Sequence, residues 1–114
     1  MAVLLASACT PGPVPVDAVQ AADTIDVGLT DFAIATSAER LVDGVVTVQV
    51  TNAGATAHDL RVAGGDVQRA TSVLPPGAST VIRLNASGEE TLNLWCTLPG
   101  HRRQGMEATL RVGS

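Results

Sequence analysis

The stretch WCTLPGHRRQGM, residues 95 to 106, offers a thiol at Cys96, an imidazole at His101 and a thioether at Met106, with four residues in each gap. Thiolate and thioether are soft donors suited to copper, and imidazole binds copper well too. One more imidazole completes a set of two His, one Cys and a weak axial Met. His58, in the segment NAGATAHDL, is the chain's other histidine. The remaining Met is Met1 and the remaining Cys is Cys9, both in an N-terminal stretch of different character. The donors therefore fall into one candidate site, His58, Cys96, His101 and Met106, for one mononuclear copper ion. Zinc accepts Cys and His but rarely a thioether, so Met106 favours copper over zinc.

Those donors need elements to position them. Ile25, Val27 and Leu29 alternate with polar or small residues, the period-2 signal of a half-buried strand. Phe32 and Ile34 continue a second run, and Val46, Val48 and Val50 form a third. His58, Leu60 and Val62 share a face, as do Ile82 and Leu84, then Leu92, Leu94 and Cys96. Ala108, Leu110 and Val112 make a closing strand. About seven short strands separated by DG, NAG, GG, PPG and NASG turns predict an all-β sandwich rather than βαβ units. Residues 62 to 73 are the ambiguous stretch, read as a loop with a helical turn.

On this reading Cys96 ends an inward-facing strand. Pro99 fixes its own φ and Gly100 tolerates a turn that other residues resist, so together they return His101 towards Cys96. Gly105 plays a similar part before Met106. His58, from far upstream, is expected to close the site across the sandwich, which ties metal binding to the finished fold.

Composition narrows the function classes. A chain of 114 residues fits one small domain, and hydrophobic residues at 46% with aromatics at 2% require an aliphatic core. A formal charge of −4 argues against a nucleic-acid binder, which would show a basic face. No apolar run reaches the ~18 residues of a membrane-spanning helix.

Residues 1–9, MAVLLASAC, read as a truncated or relaxed secretory signal, and ASAC resembles a lipobox in which Cys9 would carry lipid. An ordinary N-terminus with a chance Cys is the alternative. Residues 10–23 hold three of the six prolines and read as a linker, ~3 Å per residue if extended. Residues 24–114 are the expected copper-binding domain. This places the protein outside the cytoplasm, in the periplasm or on the outer face of the cytoplasmic membrane.

The segments TNAGATAHDL and WCTLPGHRRQGMEATLRV resemble the cupredoxins, the small blue copper proteins, and the resemblance runs from about Thr24 to Val112. It implies a Greek-key β-sandwich with His58 as the upstream ligand, Cys96 and His101 as loop ligands and Met106 as the axial one. Cys-Thr-x-Pro-Gly-His looks azurin-like, while the four-residue gap to Gly-Met looks plastocyanin-like, so the resemblance is to the superfamily. It also implies that His101 lies near the surface as the electron port and that His58 is more buried. Asp59 follows His58 where many family members carry Asn. Trp95 is expected on the other sheet face from Cys96, at a position where aromatics are usual in the family, as a packing residue and not an electron relay.

A four-ligand site leaves little room for a substrate, so the expected function is single-electron transfer between redox proteins, with no enzymatic chemistry. The alternative is a module that buffers or delivers copper, although no Met-rich or His-rich tract is present to hand the ion on. Binuclear copper centres need a second Cys in this loop, and multicopper oxidases need more histidines than two. Arg102 and Arg103 are expected to set a positive patch beside His101 that steers a partner protein. The protein is expected to act as a monomer.

Overall fold

The computed structural model describes residues 21–113. Cys9, the signal-like segment and residues 10–20 of the linker lie outside the described residues. Among the described residues nine strands form two sheets. They are β1 (Thr24–Thr30), β2 (Ala33–Thr36), β3 (Arg40–Leu41), β4 (Val45–Asn52), β5 (Arg61–Gly64), β6 (Val67–Ala70), β7 (Ser79–Asn85), β8 (Thr91–Trp95) and β9 (Glu107–Val112). A four-stranded sheet has the order β2-β1-β4-β7 and a five-stranded sheet the order β3-β9-β8-β5-β6. β1 runs parallel to β4 and β3 parallel to β9, while the other pairs are antiparallel. The architecture is the expected all-β sandwich.

Alternation in the sequence becomes burial in the sandwich. Ile25, Val27 and Leu29 of β1 and Val46, Val48 and Val50 of β4 face Leu92, Leu94 and Leu110 of the second sheet in one aliphatic core. Each such side chain stabilises the fold by roughly 1.5–3 kcal/mol relative to exposure, enough to hold the layers together without aromatics.

Two strands escape the periodicity. β3 is two residues long, too short to alternate, and β6 has only Val67 buried. The ambiguous stretch is therefore a β5–β6 hairpin instead of a helical turn. Gly64 pairs with Val67 across a two-residue loop, and Gly65 at φ 54° supplies the positive φ that such loops favour. Ordered pairing also reaches upstream of β1, where Ala22 bridges Leu41.

Candidate metal centre

The β8–β9 connection carries three of the four candidate donors at one end of the sandwich. Cys96 follows β8 directly, its side chain 1% exposed because the preceding alternation turns it inward with Leu92 and Leu94. Gly100 has φ 80° and Gly105 φ 116°, the conformations expected of them, and a single 3₁₀ turn (Arg102–Gln104) lies between. Main-chain bonds close the loop on itself. His101 N–H donates to Leu98 O at 3.1 Å, Met106 N–H to His101 O at 3.2 Å, and Cys96 N–H to Met106 O at 3.2 Å.

His58 reaches the same place from the neighbouring strand. It sits just before β5, bridged to Leu74, and β5 pairs with β8 in register Arg61↔Trp95. The expectation that His58 closes the site across the sandwich is thereby corrected: His58 and Cys96 lie on segments that flank β5 and β8, paired strands of one sheet. Side-chain and main-chain bonds fix the segment leading to His58. Asn52, fully buried, donates from Nδ2 to Thr56 O at 2.9 Å and Leu74 O at 2.8 Å, and its Oδ1 accepts from Gly54 N–H at 2.8 Å.

The three ligand atoms converge. His58 Nδ1 lies 3.2 Å from His101 Nδ1, which lies 3.5 Å from Cys96 Sγ, and one ligand atom from each residue falls within 4.8 Å of the others. It is the only such group of three His, Cys, Asp or Glu residues among the described residues. His58 is fully buried while His101 is partly exposed. Met106 is fully buried with its backbone hydrogen-bonded to both Cys96 and His101. Two imidazole nitrogens and a sulfur facing one another fit a copper ion by donor type, with a buried thioether next to them in the chain.

Burial pushes the Cys96 thiol above its ordinary range, a rise partly offset by the Asp59 and Leu98 amides that face the sulfur. A metal ion must therefore displace a proton to take this ligand. Asp59 is itself nearly buried and accepts from Thr97 N–H at 2.7 Å and from the Thr97 hydroxyl.

Sequence reasoning missed Asp31, Phe32 and Asn52. Asp31, in the β1–β2 turn, places Oδ1 2.6 Å from His58 Nε2. The hydrogen bond from His58 holds its carboxyl below the usual carboxylate range against some desolvation, helped by Thr56 and the Ala55 amide. Phe32 packs edge-on against both histidines, its ring centroid 6.0 Å from that of His58 and 4.9 Å from that of His101. Asp31 and Phe32 lie too far from the donor motifs for local spacing to reveal them, whereas Asn52 stands within TNAGATAHDL, six residues before His58, where its type alone signals no more than a turn.

Trp95 lies on the expected face of its sheet, opposite to Cys96, but outside the core. It is only partly buried, with Arg102 stacked over its ring at 4.4 Å and Arg61 at 5.8 Å. The residue next to an inward Cys96 must face outward, so Trp95 packs under arginines on the outer face and not in the core. Arg102 also donates from Nε to Glu107 Oε1 at 3.1 Å, whereas Arg103 makes no ion pair among the described residues.

No protein-family model and no curated protein matches this chain. Solved structures do. The fold is similar to that of dithionite-reduced auracyanin from Roseiflexus castenholzii, with TM-score 0.70 and 21% identity over 83% of this chain and 100% of that one. Auracyanin A, a blue copper protein from Chloroflexus aurantiacus, aligns with TM-score 0.60 and 16% identity, covering 79% of this chain and 98% of its own. A multicopper oxidase aligns with TM-score 0.62 and 21% identity, but the chain spans only 41% of it. At these identities the likeness establishes a common fold, the cupredoxin β-sandwich, and this chain accounts for nearly all of each auracyanin.

Proposed function

We propose that this chain is a mononuclear type 1 copper protein that carries single electrons between redox partners outside the cytoplasm. The observation that carries the reading is the convergence of His58 Nδ1, Cys96 Sγ and His101 Nδ1 at one end of a cupredoxin fold. Those three residues would hold copper, with Met106 as the weak axial ligand. Bound there, copper supplies a Cu(II)/Cu(I) couple. The solved proteins named auracyanin and blue copper protein, with which the chain shares its fold, are consistent with that use.

The chain's own residues supply the rest. Burial of His58, Cys96 and Met106 keeps water from the donors, and the loop bonds from Leu98 to Met106 hold them in one arrangement. A frame that need not rearrange between oxidation states keeps the reorganisation cost of electron transfer low. The partly exposed His101 offers the route in and out. Partner docking around His101, Arg102 and Arg103 belongs to this proposal, as does lipid anchoring at Cys9.

A Cu(II) titration followed by visible absorption and redox cycling tests the reading. An intense thiolate-to-copper band and fast, reversible cycling are expected. A colourless complex would reject the type 1 site, and ready loss of Cu(I) to a chelator would point to copper delivery instead of electron transfer.

A further inference from the structure

We infer that Asp31 is a positioning residue for the metal centre: its carboxylate, reaching over from the opposite sheet, fixes His58 in the tautomer that presents Nδ1 to the metal. The inference deepens the copper reading and rests on it for the metal's identity. Its geometry stands by itself.

Asp31 lies between β1 and β2 of the four-stranded sheet, whereas His58 precedes β5, and Cys96 and His101 lie in the β8–β9 connection, all next to strands of the five-stranded one. Its Oδ1 meets His58 Nε2 at 2.6 Å and the Thr56 hydroxyl at 2.9 Å, and Oδ2 accepts from Ala55 N–H at 3.1 Å. An ionised carboxylate only accepts hydrogen bonds, so the short contact places the imidazole proton on Nε2. Nδ1 then keeps its lone pair and faces His101 Nδ1, which can donate to it until a metal replaces that proton. Carboxylate–histidine–metal arrangements fix ring orientation and raise ligand basicity in just this way.

The backbone is shaped to allow the contact. A Cβ on Gly54 would collide with Asp31 Oδ1 and stand 2.9 Å from His58 Nε2. Gly54 is itself held by Asn52 Oδ1, so the gap is a fixed part of the loop. Its φ is not in the left-handed region, and the glycine is needed here for space.

The test combines NMR of the metal-free protein with copper binding and potentiometry. Long-range nitrogen–proton spectra of the apo wild type should show His58 protonated at Nε2. Asp31→Asn keeps an acceptor and should keep that tautomer, but without the charge it should weaken Cu(II) binding about tenfold more than Cu(I), raising the potential ~59 mV. Asp31→Ala should let the Nδ1–H tautomer appear and weaken Cu(II) binding ~10–100-fold. Gly54→Ala, which alters neither side chain, should behave like Asp31→Ala by pushing the pair apart. Dominant Nδ1–H His58 in the wild type would overturn the inference. So would folded Asp31→Ala and Gly54→Ala proteins with unchanged tautomer, Cu(II) affinity and potential. A wild type that binds no copper but loses the Nε2–H tautomer in Asp31→Ala would remove the copper reading and leave the role of Asp31 in orienting His58 intact.

Discussion

Thr97 donates both its amide and its hydroxyl to the carboxylate of Asp59. The residue after the Cys donor is thereby tied to the residue after the upstream His donor, beside the β5–β8 pairing of one sheet. The same Asp59 presents its amide to the Cys96 sulfur. A nearly buried negative charge thus stands beside the sulfur, where it favours the more positive metal state.

Replacing that charge should be visible as a potential. Asp59→Asn keeps an oxygen for Thr97 N–H but removes the charge, and it should raise the reduction potential by roughly 60 mV, a tenfold change in relative Cu(II) affinity. Protein-film voltammetry of the two proteins checks this. An unchanged potential would mean that solvent or the surrounding amides already screen the carboxylate.

Metal uptake should depend on pH with a fixed sign. The buried Cys96 thiol is protonated over the neutral range because its pKa is raised, so binding releases its proton. Below that pKa each unit fall in pH should weaken Cu(II) binding about tenfold from this group alone. Competition titrations between pH 6 and 8 against a chelator of known proton linkage measure the slope.

Asn52 should matter for stability before it matters for metal. Its side chain satisfies Thr56 O, Leu74 O and Gly54 N–H at zero exposure. Asn52→Ala leaves those groups without this partner, and buried unsatisfied groups cost ~1–3 kcal/mol each. A loss of about 2–3 kcal/mol is expected in urea unfolding of the metal-free protein, with weaker copper binding because the segment carrying His58 loosens.

How far the sequence reveals this molecule depends on the range of each interaction. Alternation along β1, β4 and β8 is local, and it is enough to tell which face of each strand is buried. The turn at Pro99-Gly100 is local too, and its positive φ is what an L-residue resists. The donor types of His58, Cys96, His101 and Met106 carry chemistry whatever the fold. By contrast, β3 is legible only through its pairing with β9, and β6 only through its hairpin with β5. Asp31 is one of many surface-type acids until the two sheets are stacked. The placement of His58 beside Cys96, next to the paired strands β5 and β8, is likewise a fact of strand order, which periodicity does not encode.

The two arginines after His101 should prove unequal. Arg102 is paired with Glu107 and spread over Trp95, so much of its field is already cancelled or directed away from His101. Arg103 makes no ion pair among the described residues and is exposed in the same loop. Charges at a docking rim act chiefly on encounter rate, and they are screened over ~10 Å at 0.1 M salt. Arg103→Gln should therefore flatten the ionic-strength dependence of electron transfer to an acidic redox partner, by several-fold in rate at low salt. Arg102→Gln should change that dependence less, since it also frees the Glu107 carboxylate, but it should destabilise the Trp95 face by up to about 1 kcal/mol. Stopped-flow rates across a salt series for both variants separate the two roles, and equal slopes would remove Arg103 from the docking surface.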